Sequence, residues 1–141
     1  MKIRNFKKSD FTSVKSIYQQ GIDTGNATFQ KKAKGWSEWN SSFLITCRIV
    51  AELNNEVVGW AALSAASNRT VYNGVAEVSI YIAKNYANYG IGNSLLSAQK
   101  IEESIESYKK ALRIKPNDIE TKYNLAFAQN MLKKQQEDFY K

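Results

Sequence analysis

No histidine occurs among the 141 residues, and there is a single cysteine, Cys47, and a single proline, Pro116. Without histidine the chain has no Ser-His or Cys-His nucleophile pair and lacks the commonest zinc ligand. A lone cysteine forms no internal disulfide, which fits a reducing compartment. Cys47 stands in an apolar run and reads as a small core residue, not a nucleophile. No apolar run approaches the ~18 residues of a membrane-spanning helix, and no signal-peptide pattern is present. A soluble, cytoplasmic protein without membrane contact is the expectation. Acidic residues are outnumbered by basic ones, 13 against 20, for a net charge of +7. The lysines are scattered, however, and no dense basic run or basic-aromatic interleaving supports a nucleic-acid partner.

What is present is a globular balance, with 43% hydrophobic and 23% charged residues. Lys2–Phe6 reads as a first strand. Ser9 suits a helix N-cap, and Phe11, Val14, Ile17 and Tyr18 then share one helical face. Gly21 and Gly25 break that pattern around a polar loop, from which 27–30 extends briefly. Trp36 and Trp39 predict a short second helix with one aromatic edge, serving either as core or as one wall of a substrate pocket. Ile45–Leu53 is rich in β-branched residues and reads as a strand. Asn54-Asn55 tolerates positive φ and makes a tight hairpin turn into a returning strand, Glu56–Ser64, with Gly59 at a bulge. Residues 65–73 are a polar loop, and a further strand runs from Val75.

The stretch Glu77–Ala98 organises the rest. Val78, Ile80 and Ile82 alternate with Ser79, Tyr81 and Ala83, the period of a half-buried strand. A polar, glycine-bearing turn follows over Asn85–Gly92, and Ile91, Leu95, Leu96 and Ala98 then recur at helical spacing. A strand, a glycine loop and a helix start bring unpaired N–H groups and a helix dipole to one small volume, which suits a phosphate or pyrophosphate. Gly90 and Gly92 let the backbone approach an anion closely because neither has a Cβ. The plain alternative is an ordinary strand-to-helix turn.

From Ile101 to Lys134 there is neither glycine nor strand pattern. Ile101, Ile105, Tyr108, Ala111, Leu112 and Ile114 continue a helical face that joins into one helix from Ile91. Pro116 stops it, Asp118 caps the next, and Tyr123, Leu125, Ala128, Met131 and Leu132 form a second amphipathic face. The tail from Gln135 is polar and frays. Together these elements predict an α+β fold: an antiparallel meander with flanking helices, followed by a helical hairpin.

Residues 1–99 resemble the GNAT acetyltransferases, in particular their phosphinothricin N-acetyltransferase-like branch. The matching stretches are IRNFKKSD, IYQQGI, NATF, the paired tryptophans, VAELNNEVVGWAALS and VAEVSIYIAKNYANYGIGNSLL. The resemblance implies acetyl-CoA as cofactor, its pantetheine arm along Ile80, Tyr81 and Ile82. Its pyrophosphate would sit on the amides of Ala87, Asn88, Tyr89, Gly90, Ile91 and Gly92. Glu77 matches the family's general base, which an ammonium substrate needs before its nitrogen can attack a thioester. Thr28, Phe29 and Trp36 would line the acceptor side, where a small amine or amino-acid-like substrate binds.

The chain departs from that family in two ways. Ala87 stands where the phosphate loop usually begins with Gln or Arg, and Tyr89 where a further basic residue is common. After the loop helix the family continues with a further strand, a helix bearing a cofactor-touching Asn, a general-acid tyrosine and two last strands, none recognisable here. In their place residues 102–134 resemble a tetratricopeptide repeat, with Tyr108, Ala111 and Pro116 at expected places. The chain thus divides into a truncated GNAT-like part, 1–99, and a TPR-like hairpin with a polar tail, 100–141, joined at a chimera-like seam near 97–101. Two functional readings follow: an acetyl-CoA-dependent N-acetyltransferase, either active or inactivated by the replacement of its C-terminal half, or a non-catalytic self-associating or protein-interaction module. Loss of the neighbouring strand leaves Val78–Ile82 as an edge. That edge predicts a homodimer through 78–82 or the C-terminal helices, or coverage of the strand by the helices of 101–134.

Overall fold

The computed structural model describes residues 1–24, 32–65 and 76–138. One antiparallel sheet runs in sequence order through β1 (Lys2–Asn5), β2 (Ile49–Leu53), β3 (Glu56–Ala65) and β4 (Ala76–Ile82). Helices α1 (Phe11–Asp23) and α2 (Trp36–Ser42) lie on one face, and α3 (Ile91–Ile114) lies on the other. Helix α4 (Ile119–Asp138) packs back along α3 and reaches β1.

Alternation along the strands divides the core in two. Ile3, Ile49, Ala51, Val58 and Ala61 meet Ile91, Leu95 and Ala98 of α3. Val50, Trp60 and Ala62 meet Val14, Ile17, Tyr18 and Ile22 of α1 and Trp39 of α2. The two tryptophans of GWSEW therefore serve chiefly as core. Trp39 is 1% exposed, and its ring lies 5.6 Å from Trp60 and 5.1 Å from Phe6. Trp36, half-buried, stacks 6.2 Å from Phe6.

Asn54 and Asn55 have φ of 53° and 64°, as a tight hairpin with right-handed twist requires. The bulge lies beside Gly59: Ala51 pairs with Gly59 but Glu52 with Val57, so Val58 is the extra residue. The shift turns Val58 and Gly59 toward α3 while Trp60 returns to the α1 side.

Several boundaries differ from the sequence expectation. The strand predicted over Ile45–Leu53 starts only at Ile49; Ile45 is 84% exposed, and Cys47 has φ of 63°, which breaks an extended run. Arg48 holds this bend by donating to the carbonyls of Asn40, Phe43 and Leu44. Ser9 does not cap α1; it sits inside a short 3-10 turn, and Asp10 occupies the cap position. Gly21 does not end α1, which continues to Asp23. The predicted extension over 27–30 lies outside the described residues. Helix α3 is continuous through the predicted seam, and α4 continues past Gln135, whose Nε2 donates to Ser97 Oγ at 2.9 Å. Asp118 accepts the Thr121 amide, as a cap should. Among the described residues no helix is long and apolar enough to cross a membrane.

Candidate functional site

The end of β4 and the start of α3 form the strand-loop-helix unit that the sequence singled out. The ladder's phase is set by Ala83, whose N–H donates to Val58 O at 2.8 Å. Bonded and non-bonded pairs alternate in an antiparallel ladder. Glu77, Ser79 and Tyr81 therefore aim their main-chain groups at β3, and Val78, Ile80 and Ile82 aim theirs outward. Among the described residues no strand pairs with that side, so β4 is an edge strand there. The helical pair does not cover it: α3 lies on the sheet's face, and α4 is displaced toward β1, the far edge.

The side chains divide as the alternation dictates. Ile80 and Ile82 lean on the α3 core, and Tyr81 enters the aromatic cluster, stacked on Trp60 at 5.0 Å and 18°. Burial pushes the Tyr81 phenol above its ordinary pKa, and Tyr18, 4.9 Å away, is shifted the same way and for the same reason. Glu77 is exposed near the start of β4, paired in register with Ser64 and on the same face as Tyr81. It stands five residues, about 17 Å, from Ile82.

After Ile82 the chain makes a 3-10 turn over Lys84–Tyr86. Gln20 of α1 tethers it, accepting the Lys84 amide at 2.7 Å. Tyr86 packs under the loop against the α3 core, and its ring meets Tyr89 at 6.1 Å. Asn88 and Gly90 have φ of 71° and 77°, so the chain reverses twice around the exposed Tyr89 before α3 begins. Among the described residues no acceptor meets the amides of Asn88, Gly90, Ile91, Gly92 and Asn93; the first partnered one is Ser94, bonded to Gly90 O. A Cβ built at Gly90 or Gly92 would meet nothing within 4 Å, so the backbone there is not crowded on its Cβ side. Unpaired amides at the positive end of a helix of 24 residues can hold an anion.

Along the chain, Ile80, Tyr81 and Ile82 end β4, Ala87, Asn88, Tyr89 and Gly90 form the loop, and Ile91 and Gly92 open α3, with Glu77 near the start of the strand. Ile91 is buried in the core, and Tyr81 belongs to the aromatic cluster. Trp36 lies beside Phe6 and Phe11. Thr28 and Phe29 fall outside the described residues. Two participants carried no sequence signal. Gln20 reaches the loop across 64 residues of chain, and Gly21 touches Tyr81; neither contact follows from local pattern. Cys47 is buried, and burial with the nearby Glu102 and Glu106 charges pushes its thiol up to about 12, far from a reactive thiolate. No group of acidic or cysteine side chains among the described residues is placed to hold a metal ion.

Solved structures with a similar sheet and helix arrangement include acetyltransferases. The phosphinothricin acetyltransferase of the GNAT superfamily from Sinorhizobium meliloti, in complex with AcCoA, is 29% identical with a TM-score of 0.64, over 72% of this chain and 58% of that one. An N-acetyltransferase from Staphylococcus aureus is 25% identical with a TM-score of 0.63, over 74% of this chain and 66% of that one. The ribosomal-protein-alanine N-acetyltransferase of Brucella melitensis, 23% identical, shares the fold with a TM-score of 0.63 over 73% of this chain and 67% of that one. The chain therefore spans roughly three-fifths to two-thirds of the length of these proteins. A TPR repeat model matches residues 92–132, which covers α3 and most of α4. The fold is α+β and GNAT-like: a truncated antiparallel meander with flanking helices, followed by a C-terminal helical hairpin.

Proposed function

We propose that this chain binds acetyl-CoA and belongs functionally with the N-acetyltransferases of small amines or amino-acid-like substrates. One observation carries the reading: among the described residues, the unpaired edge of β4 leads directly into a loop and helix start whose amides have no protein acceptor. The likeness to an acetyltransferase solved with AcCoA supports it. The residues present fit the group. Outward-facing N–H and C=O groups of Ile80 and Ile82 match an amide-bearing arm, and the amides of Asn88 and Gly90–Asn93 match a diphosphate. Ala87 and Tyr89 add no positive charge there, so the grip is main-chain and weaker than one with an Arg.

Bound acetyl-CoA would supply an activated thioester carbonyl. The chain's own part is positioning and proton transfer. Glu77, exposed near the start of β4, takes the proton of an incoming ammonium directly or through water, leaving the amine free to attack. Main-chain N–H groups along β4 stabilise charge that develops on the carbonyl oxygen. Thr28, Phe29 and Trp36 are proposed to shape the acceptor side. The organisation proposed is a GNAT-like part over 1–99 and an appended TPR-like part over 100–141, in the cytoplasm.

Isothermal titration with acetyl-CoA tests the reading. Saturable heat with a dissociation constant in the micromolar to submillimolar range is expected, competed by CoA. Absence of heat at millimolar cofactor would falsify it. The second reading, a non-catalytic interaction module, draws on the TPR match and on the bare face of α4 described next. It predicts partner binding by α4 variants that is indifferent to acetyl-CoA.

A further inference from the structure

The sequence groups Tyr123 and Met131 with Leu125, Ala128 and Leu132 on one amphipathic face of the second C-terminal helix, but the structure turns Tyr123 and Met131 outward. Ile119, Tyr123, Phe127 and Met131 recur every fourth residue along α4 and are 80, 72, 59 and 45% exposed. The opposite side of α4 carries Ala128, buried, and Leu125 and Leu132, half-buried, and packs on α3. Phe127 and Met131 also rim a groove of about 260 Å³ with Ile101, Ser104 and Tyr108 of α3. Four large apolar side chains in one row exceed the scattered exposure that a soluble surface ordinarily carries.

We propose that this row is a self-association surface, covered by the same row of a second copy, the two α4 helices running antiparallel about a two-fold axis between Tyr123 and Phe127. Two features favour a second copy over another occupant. Residues spaced by four form one of the ridges that interdigitate when helices pack, and a ridge meeting itself is self-complementary. Antiparallel pairing also opposes the helix dipoles, whereas parallel pairing sets like ends together. Area is the second. Each side chain leaves on the order of 100 Å² to cover, so two rows with the groove rims bury about 1,000 Å². That reaches the lower bound of a specific interface, which implies a reversible dimer with micromolar affinity.

Sedimentation equilibrium on the full chain, from about 1 to 200 μM, tests the proposal. A monomer–dimer equilibrium is expected, with Tyr123→Glu and Phe127→Glu monomeric throughout. Both side chains point to water, so circular dichroism and melting should be unchanged in these variants. Orientation is read by oxidation: Ile119→Cys and Met131→Cys should each stay uncrosslinked alone and crosslink when mixed. A chain monomeric at 200 μM overturns the proposal. So does a dimer that survives Phe127→Glu, which would place the contact on the β4 edge, or self-crosslinking of Ile119→Cys, which would make the pair parallel. None of these outcomes depends on acetyl-CoA, so the proposal can fail while the binding of that cofactor stands, and the reverse.

Discussion

The ring of Tyr81 lies against the backbone of α1 at Gly21, where an added Cβ would sit 2.6 Å from Cδ1 and 2.7 Å from Cε1. The ring cannot retreat, because Trp60 stacks on it at 5.0 Å and Tyr18 lies 4.9 Å away. A glycine that breaks the helical pattern in sequence is thus the point where α1 closes on the site strand. In an open helix Gly→Ala gains roughly 0.5–1 kcal/mol. Overpacking an aromatic cluster costs about 1–3 kcal/mol, and here that effect wins. Gly21→Ala should lower the melting temperature, and Tyr81→Leu in the same chain should recover part of the loss. A Gly21→Ala protein more stable than the parent would refute the contact.

The two glycines of the loop should respond with opposite signs. Gly90 has φ of 77°, so alanine there meets open space but carries a left-handed strain of about 1–2 kcal/mol. Gly92, inside the first turn of α3, has no such φ and no neighbour within 4 Å, so alanine should stabilise by a few tenths to 1 kcal/mol. Urea denaturation separates the two. In titrations, Gly92→Ala should weaken acetyl-CoA binding despite its added stability, because its methyl group stands before the free amides.

The reading of Glu77 predicts a split between chemistry and binding. Glu77→Gln should lower turnover of an accepted amine about 100-fold and leave the heat of acetyl-CoA binding unchanged, as for loss of a general base. Equal loss of both would show that Glu77 is structural. Ala87→Arg should act on the other quantity. It restores a cation beside the loop and should tighten acetyl-CoA several-fold, with a gain that fades as salt is raised.

At the opposite sheet edge, Arg4 joins Asp10 at 2.8 Å and Glu52 at 3.1 Å. The Arg4 hydrogen bond holds the Asp10 carboxyl below its ordinary pKa; burial opposes this, and the Lys7 amide adds to the depression. A depressed carboxylate stabilises the fold fully above its unfolded value of about 3.9. That contribution is lost as the pH falls through the lower folded value. Asp10→Asn should cost about 1–3 kcal/mol at pH 7 and progressively less in acid, where the parent also loses its ion pair. A pH-independent difference would rule out the linkage.

How much of this was legible in one dimension depends on the range of the interaction. The Asn54-Asn55 hairpin, the strand Val78–Ile82, the glycine loop and the stop at Pro116 all rest on contacts within a few residues, and local chemistry predicts them. The start of β2 was placed four residues early, because the β-branched run Ile45–Val50 conceals a left-handed Cys47 that only the Arg48 clamp on the preceding helix explains. Periodicity leaves the faces of α4 undecided for a related reason. Periodicity locates apolar residues on a helix but does not say which of two apolar stripes meets a neighbour, and α3 takes the one with Leu125, Ala128 and Leu132.

By itself, then, the order of residues determined a meander of strands, a glycine-bearing turn after Ile82 and a long helix from Ile91, because each follows from period, turn chemistry and the lack of a Cβ. Only the tertiary structure decided that no described strand or helix covers the outer edge of β4, that Gln20 and Gly21 brace the candidate site from another helix, and that Phe127 and Met131 face water. Those facts depend on which surfaces meet across tens of residues. Burial energy of that kind is non-directional and has no signature in a short window of sequence.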